Sequence, residues 1–224
     1  MSGTLIFYIS ITKVKFVWNN LYRIVMREKK QLPNIENPCP DQVEYYLQLW
    51  DKQENYKLQE KALDKLFFNT YPNNTDINDI LIKASSLNDF YSTNIYSIFS
   101  VAKHISELNI DSRLASEDLS LVDDIATVVI NGKQLRFYSF ASKYCSHHMP
   151  NVFPIYDSYV EKILKYFKQK DKFYHFKNED LKTYHKFREI LDAFQTFYGL
   201  EQYNRKDIDR YLWQLGKRNF PNKY

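Results

Sequence analysis

Apolar residues recur at helical spacing through most of this chain. Tyr45, Leu47 and Trp50 share one face of a segment from Gln42 to Gln53, and Leu58, Leu63, Leu66 and Phe67 share one face of Tyr56 to Phe68, with a break near Asn55. After the polar loop YPNNTDIND the same period predicts helices over Ile77 to Ala84, Thr93 to Leu108, Ser116 to Val128, Phe140 to His148, Ser158 to Phe167, Glu179 to Phe197 and Asp207 to Lys217. Only ATVVINGKQLRF is strand-like, and its Asn131-Gly132 pair is the signal of a two-residue hairpin. There is no internal repeat, low-complexity tract or long linker. The pattern predicts an all-α fold over residues 26–224, one helical domain in one or two lobes about a cleft, with a minor β-hairpin.

Residues 1–25 do not fit that frame. They are apolar but interrupted by Lys13 and Lys15, and they lack both a charged start and a small-residue cleavage site, so they read as neither a signal peptide nor a membrane span. They read either as a β-rich edge or docking strand or as a translated N-terminal extension, and the polar start that opens at Met26 favours the extension.

Composition narrows the chemistry. The chain's 224 residues are enough for a real core. With only 4 glycines and no G-x-x-x-x-G-K or G-x-G-x-x-G run, phosphate-cradling glycine loops are not expected. Cys39 and Cys145 stand in unrelated contexts and form no Cys-x-x-Cys pattern, which suits a reduced, cytoplasmic setting. Residues 161–224 hold 15 Lys and Arg against 9 Asp and Glu, a net +6 that leaves −2 for residues 1–160. In that basic part cations interleave with rings, as in KILKYFKQKDKFYHFK, a mixture that suits phosphates beside stacked bases and equally suits the solvated face of amphipathic helices.

Candidate chemistry concentrates in residues 137–161, FYSFASKYCSHHMPNVFPIYDSYVE. A helical run stops before Pro150, and a loop then delivers Asp157 to the start of the next helix. Ser158 and Glu161 have the spacing of a capping box there. Asp157 alone would be read as a helix cap. The Cys145-Ser146-His147-His148 cluster invites a metal, but neighbouring histidines on a helix point about 100° apart and no second ligand pair follows, so no metal is expected.

A helix, a Pro-containing loop and an aspartate opening another helix resemble the final part of the helix-hairpin-helix DNA glycosylases, here through Phe153-Pro154-Ile155-Tyr156-Asp157, with the resemblance spanning roughly residues 88–168. It implies an all-α helix-hairpin-helix fold, no cofactor, a monomer with no membrane partner, and duplex DNA with a flipped base as the ligand. It implies Asp157 as the catalytic carboxylate, because breaking an N-glycosidic bond builds positive charge on the sugar that a nearby carboxylate stabilises. The family's glycine-rich hairpin is missing, since Gln134-Leu135-Arg136-Phe137-Tyr138-Ser139 occupies its place. No lysine stands at the usual nucleophile position, so a monofunctional enzyme is expected. Lys143, 14 residues before Asp157, is a secondary candidate whose alternative is a surface lysine.

For the base pocket the resemblance points to the rings Tyr91, Tyr138, Phe140, Tyr144, Tyr156 and Trp213, with His147 beside Asp157 and Asn88 reading a base edge from the loop-like SSLNDFYSTN, where Asp89 and Ser92 are alternative helix caps. Lys133, Arg136, Lys217 and Arg218 are the candidate contacts to the DNA backbone. A glycosylase of modified phage bases would share this mechanism. A non-enzymatic nucleic-acid or protein-binding module would use Asp157 only as a cap.

Overall fold

The computed structural model describes residues 33–221. The expectation for residues 1–25 therefore lies outside the described residues. The unit that carries the site is Asn37–Tyr224. Among the described residues it is built from α1 (Pro40–Asp51), α2 (Glu54–Asp64) running on into a π-helical turn (Lys65–Thr70), α3 (Ile77–Phe90), α4 (Ile98–Glu107), α5 (Asp111–Ala115), α6 (Ser120–Ala126), β1 (Thr127–Ile130), β2 (Lys133–Arg136), α7 (Tyr138–His148), α8 (Ser158–Asp171), a 3-10 turn (Asn178–Lys182), α9 (Tyr184–Phe197) and α10 (Arg205–Asn219). The fold is mostly helical with one two-stranded sheet, as the periodicity predicts.

The hairpin pairs Thr127 with Arg136 through to Ile130 with Lys133. Asn131 and Gly132 both take positive φ, 51° and 74°, the conformation that a tight hairpin of this twist needs and that Asn and Gly tolerate best. The sheet leads straight into α7, whose residues from Tyr138 to His147 are buried except for the half-buried Ser139. Around this central helix pack α6, α3 and the π-helical turn, while α10 lies across both α8 and α1. Gly216 makes the α8–α10 crossing possible: a Cβ there would stand 2.6 Å from the Tyr159 Cβ and 2.8 Å from the Tyr159 carbonyl oxygen.

Several boundaries differ from the periodic reading, each for a local reason. The segment SSLNDFYSTN does not open a helix: Ser85–Phe90 are the last turns of α3, so Asp89 is not a cap, and Ser92 takes φ 48° in the loop that follows. The capping box of Ser158 and Glu161 does not form. Asp157 is itself the N-cap, its Oδ1 accepting from the Tyr159 N–H at 2.7 Å, and Glu161 pairs with Lys182 at 2.8 Å and with Lys165. Both cysteines are free, Cys39 exposed and Cys145 buried. Among the described residues no helix is long and apolar enough to cross a membrane.

Candidate functional site: a carboxylate and a buried lysine in an aromatic cleft

The loop from Met149 to Asp157 has no regular structure, and its position is set by hydrogen bonds from three helices. The Ser142 hydroxyl on α7 accepts from the Tyr156 N–H at 3.0 Å, Tyr184 on α9 donates its hydroxyl to the Pro154 carbonyl at 2.6 Å, and Asp209 on α10 accepts from the Ile155 N–H at 2.9 Å. Each bond uses a loop backbone group that would otherwise be buried without a partner. Together they hold Asp157 at the floor of a cleft of about 1030 Å³.

Lys143 shares that floor. Its side chain is 4% exposed, and its Nζ lies 3.7 Å from the Asp157 Oδ2, 2.6 Å from the Ser139 hydroxyl and 5.1 Å from the centre of the Tyr91 ring. Lys143 is thus not a surface lysine of its helix: nine of the eleven residues of α7 are buried, Lys143 among them. Burial pushes the Lys143 amine below the ordinary lysine range, opposed by the nearby charges of Asp157 and Asp209. Asp157 divides its work, with Oδ1 capping α8 and Oδ2 facing the amine.

Aromatic rings and charged pairs make the walls. Trp50 stacks on Tyr56 at 5.8 Å, and Trp213 meets both edge-on at 6.0 and 5.2 Å, so α1, α2 and α10 build one ring cluster. Lys217 lies over it, 4.7 Å from the Trp213 ring and 2.7 Å from the Tyr56 hydroxyl. On the other side Glu60 joins Arg210 at 2.6 Å and Lys206 at 3.1 Å, and Asp64 joins Lys206 at 3.4 Å. His147 reaches from α7 to the Tyr91 hydroxyl at 3.0 Å, with Asp64 3.8 Å from its other ring nitrogen.

Four buried side-chain polar atoms have no partner among the described residues: Trp50 Nε1, Tyr138 Oη, Asp209 Oδ1 and Arg210 Nε. All four belong to residues that line this cleft. A buried polar group without a partner costs roughly 1–3 kcal/mol, so the walls of this cleft carry an unmet polar demand at four places. Asp209 is 8% exposed. Burial raises its carboxyl to about 8, in spite of the Ile155 N–H, Arg205 and Lys143, and with Asp157 adding to the rise.

Of the residues singled out from sequence, the cleft gathers Asp157, Lys143, Tyr91, Tyr138, Phe140, His147, Tyr156, Trp213, Arg136 and Lys217. Four lie elsewhere. The Asn88 amide is spent on its own loop, accepting from Thr93 at 2.6 Å and from the Ile95 N–H at 2.9 Å. Tyr144 is fully buried and donates to the Asn74 side chain at 2.6 Å. Lys133 sits on the exposed strand β2, and Arg218 is exposed beside Tyr45 and Tyr46. Arg136 is half-exposed but engaged, with Asp123 at 2.6 Å and the Lys182 carbonyl at 2.7 Å. His147 and His148 diverge as their spacing requires: His148 turns to Asn74 and to the buried Lys83, and burial lowers its imidazole to about 3. No cluster of three metal-ligating side chains occurs among the described residues.

Sequence reasoning missed Asp209, Trp50, Tyr56, Glu60, Asp64, Lys206 and Arg210 as site residues. One signal was available: Asp209 interrupts the buried face of α10 made by Ile208, Tyr211, Leu212 and Leu215, where a carboxyl is out of place unless it has a task. The Glu60–Asp64 and Lys206–Arg210 pairs each stand four apart, but nothing local says that α2 and α10 face one another.

Comparison with known proteins places these residues in a lineage. The HI_0787_N family model, described as an N-terminal domain, matches residues 42–152. That span takes in Trp50, Tyr91 and Lys143 and stops short of Asp157 and Asp209. A protein of Haemophilus influenzae, described as uncharacterized, is 52% identical over 148 residues, covering 66% of this chain and 71% of the relative. No solved structure matches the chain. With that identity over that share of the relative, the chain belongs to the family of the Haemophilus protein.

Proposed function

We propose that the protein is a DNA glycosylase of the helix-hairpin-helix type that excises a damaged or modified base, with Asp157 and Lys143 acting together. The observation that carries this reading is the buried amine 3.7 Å from a carboxylate on the floor of an aromatic-lined cleft. The hairpin β1–β2, the helix α7, the pinned loop and α8 follow one another in the order such a fold uses, with the β-hairpin standing where the glycine-rich hairpin would be.

In this reading a flipped base enters among the rings of the cleft, which lower the cost of holding it outside the duplex. Asp157 stabilises the positive charge that develops on the sugar as the glycosidic bond lengthens. Burial favours the neutral form of Lys143, the form that can attack C1′. A new C1′–N bond then forms as the base leaves with the electron pair of the old one. Loss of a proton from the attached nitrogen and opening of the sugar ring give an iminium, from which elimination nicks the strand. A water in place of the amine would leave an intact abasic site, so the product separates the two routes.

The test uses duplexes bearing oxidised, alkylated, deaminated or glucosylated bases together with a preformed abasic duplex. Wild-type protein is expected to release one class of base and to form a borohydride-trapped adduct that Lys143→Ala loses. Asp157→Asn is expected to slow release by roughly 10²–10³-fold, the range for one lost electrostatic contact to a transition state. A wild-type protein that releases nothing from any duplex and traps no abasic site sinks the proposal in favour of a binding module.

A further inference from the structure

We infer that Asp209 is the acid that protonates the departing base in this cleft, an inference that rests on the glycosylase reading. Its geometry sets it apart from the other carboxyls of the cleft. Glu60, Asp64 and Glu161 are each paired with cations, and Asp157 is held between the α8 amide and Lys143. Asp209 instead has one oxygen bonded to the Ile155 N–H and the other, buried, with no partner. It stands one helical turn before Trp213, and both residues line the cleft.

The protonation state fits the role. With its carboxyl raised by burial to about 8, Asp209 carries a proton at neutral pH and is a donor. The groups that face it are Arg205 on its own helix, Lys143 on α7, Asp157 before α8, Tyr91 at the end of α3 and Tyr184 on α9. The step balances without an added reactant. As the C1′–N bond to the base breaks, its electron pair passes to the base, and Asp209 gives its proton to a base nitrogen or oxygen. The base leaves neutral. The bond from Lys143 to C1′ makes a secondary ammonium, and the proton it then sheds replaces the one Asp209 gave up.

Asp209→Asn tests the inference, because an amide oxygen still accepts from Ile155 while the titratable proton is gone. Base release from the duplex panel is measured in single turnover between pH 5 and 10, and borohydride trapping is measured on a preformed abasic duplex, where no base has to leave. The expected result is release slowed a hundredfold or more, in line with general acid catalysis, and loss of the fall in rate expected of wild type above about pH 8. Trapping should stay within about threefold of wild type, since Lys143 chemistry at an abasic site needs no acid for a base. Unchanged release and an unchanged pH profile overturn the inference alone, as does a parallel loss of release and trapping, which would make Asp209 a prop for the loop. Wild type that traps abasic sites but releases no base also overturns it. Wild type that does neither overturns the glycosylase reading and this inference with it.

Discussion

Gly216→Ala probes whether the cleft depends on the close approach of α8 and α10. A methyl group at 216 would meet Tyr159 Cβ at 2.6 Å and the backbone of Tyr159 at 2.8 and 2.9 Å, so the helices must part by about 0.8 Å to restore an ordinary contact of 3.4 Å. Two of those atoms are backbone and cannot rotate away. Alanine adds roughly 1 kcal/mol of helix propensity over glycine, whereas overpacking of this kind costs roughly 1–3 kcal/mol. With three contacts inside 3.0 Å we place the cost at the upper end, which leaves a net loss of about 2 kcal/mol, or roughly 4–8 °C in melting temperature for a domain of this size. On the proposed glycosylase reading the displaced pair also carries function, because Asp157 opens α8 while Asp209 and Trp213 ride on α10. A shift near 1 Å in catalytic geometry costs about a hundredfold in rate. Urea unfolding with an unchanged m-value gives the stability change, and single-turnover base release gives the rate. A variant as stable and as active as wild type would show that the crossing is not tight and that the geometry of the cleft does not depend on it.

Two further outcomes are expected. Lys83, fully buried with its amine lowered by burial to about 8, donates to the Tyr71 and Asn73 carbonyls and to Asn74 at 2.7–3.0 Å; Lys83→Met should lower the unfolding free energy by roughly 1–3 kcal/mol by orphaning these acceptors, read as a lower urea midpoint at unchanged m-value, and an unchanged midpoint would refute that role. Among Lys133, Arg136, Lys217 and Arg218, only Lys217 both lines the cleft and meets rings and a hydroxyl in place of a carboxylate, so Lys217→Ala should lower the slope of log K against log salt by about one for duplex binding. Arg218→Ala should leave that slope unchanged, and the reverse ranking would move the DNA track to the outer face of α10.

Local pattern was enough for the helical class, for nearly every element and for the hairpin at Asn131-Gly132, because helical period and turn chemistry are properties of neighbouring residues. It also placed Asp157 at a helix start, since a Pro-containing loop that ends there is visible in the chain itself, while its catalytic reading came only from the family resemblance. The state of Lys143 was not legible in this way. Whether a lysine in FASKYCS is solvated or buried depends on α6, α3 and the π-helical turn closing around α7, and those contacts join residues far apart in sequence. The same holds for Asp209, whose meaning comes from the Ile155 N–H, 54 positions away, and from a cavity that leaves its second oxygen free. Asn88 shows the converse: an amide that local pattern offers to a ligand is consumed by the turn after α3. Propensity and capping act over a few residues and can be read along the chain, whereas burial, cavities and perturbed protonation arise from long-range packing and exist only once the helices are assembled.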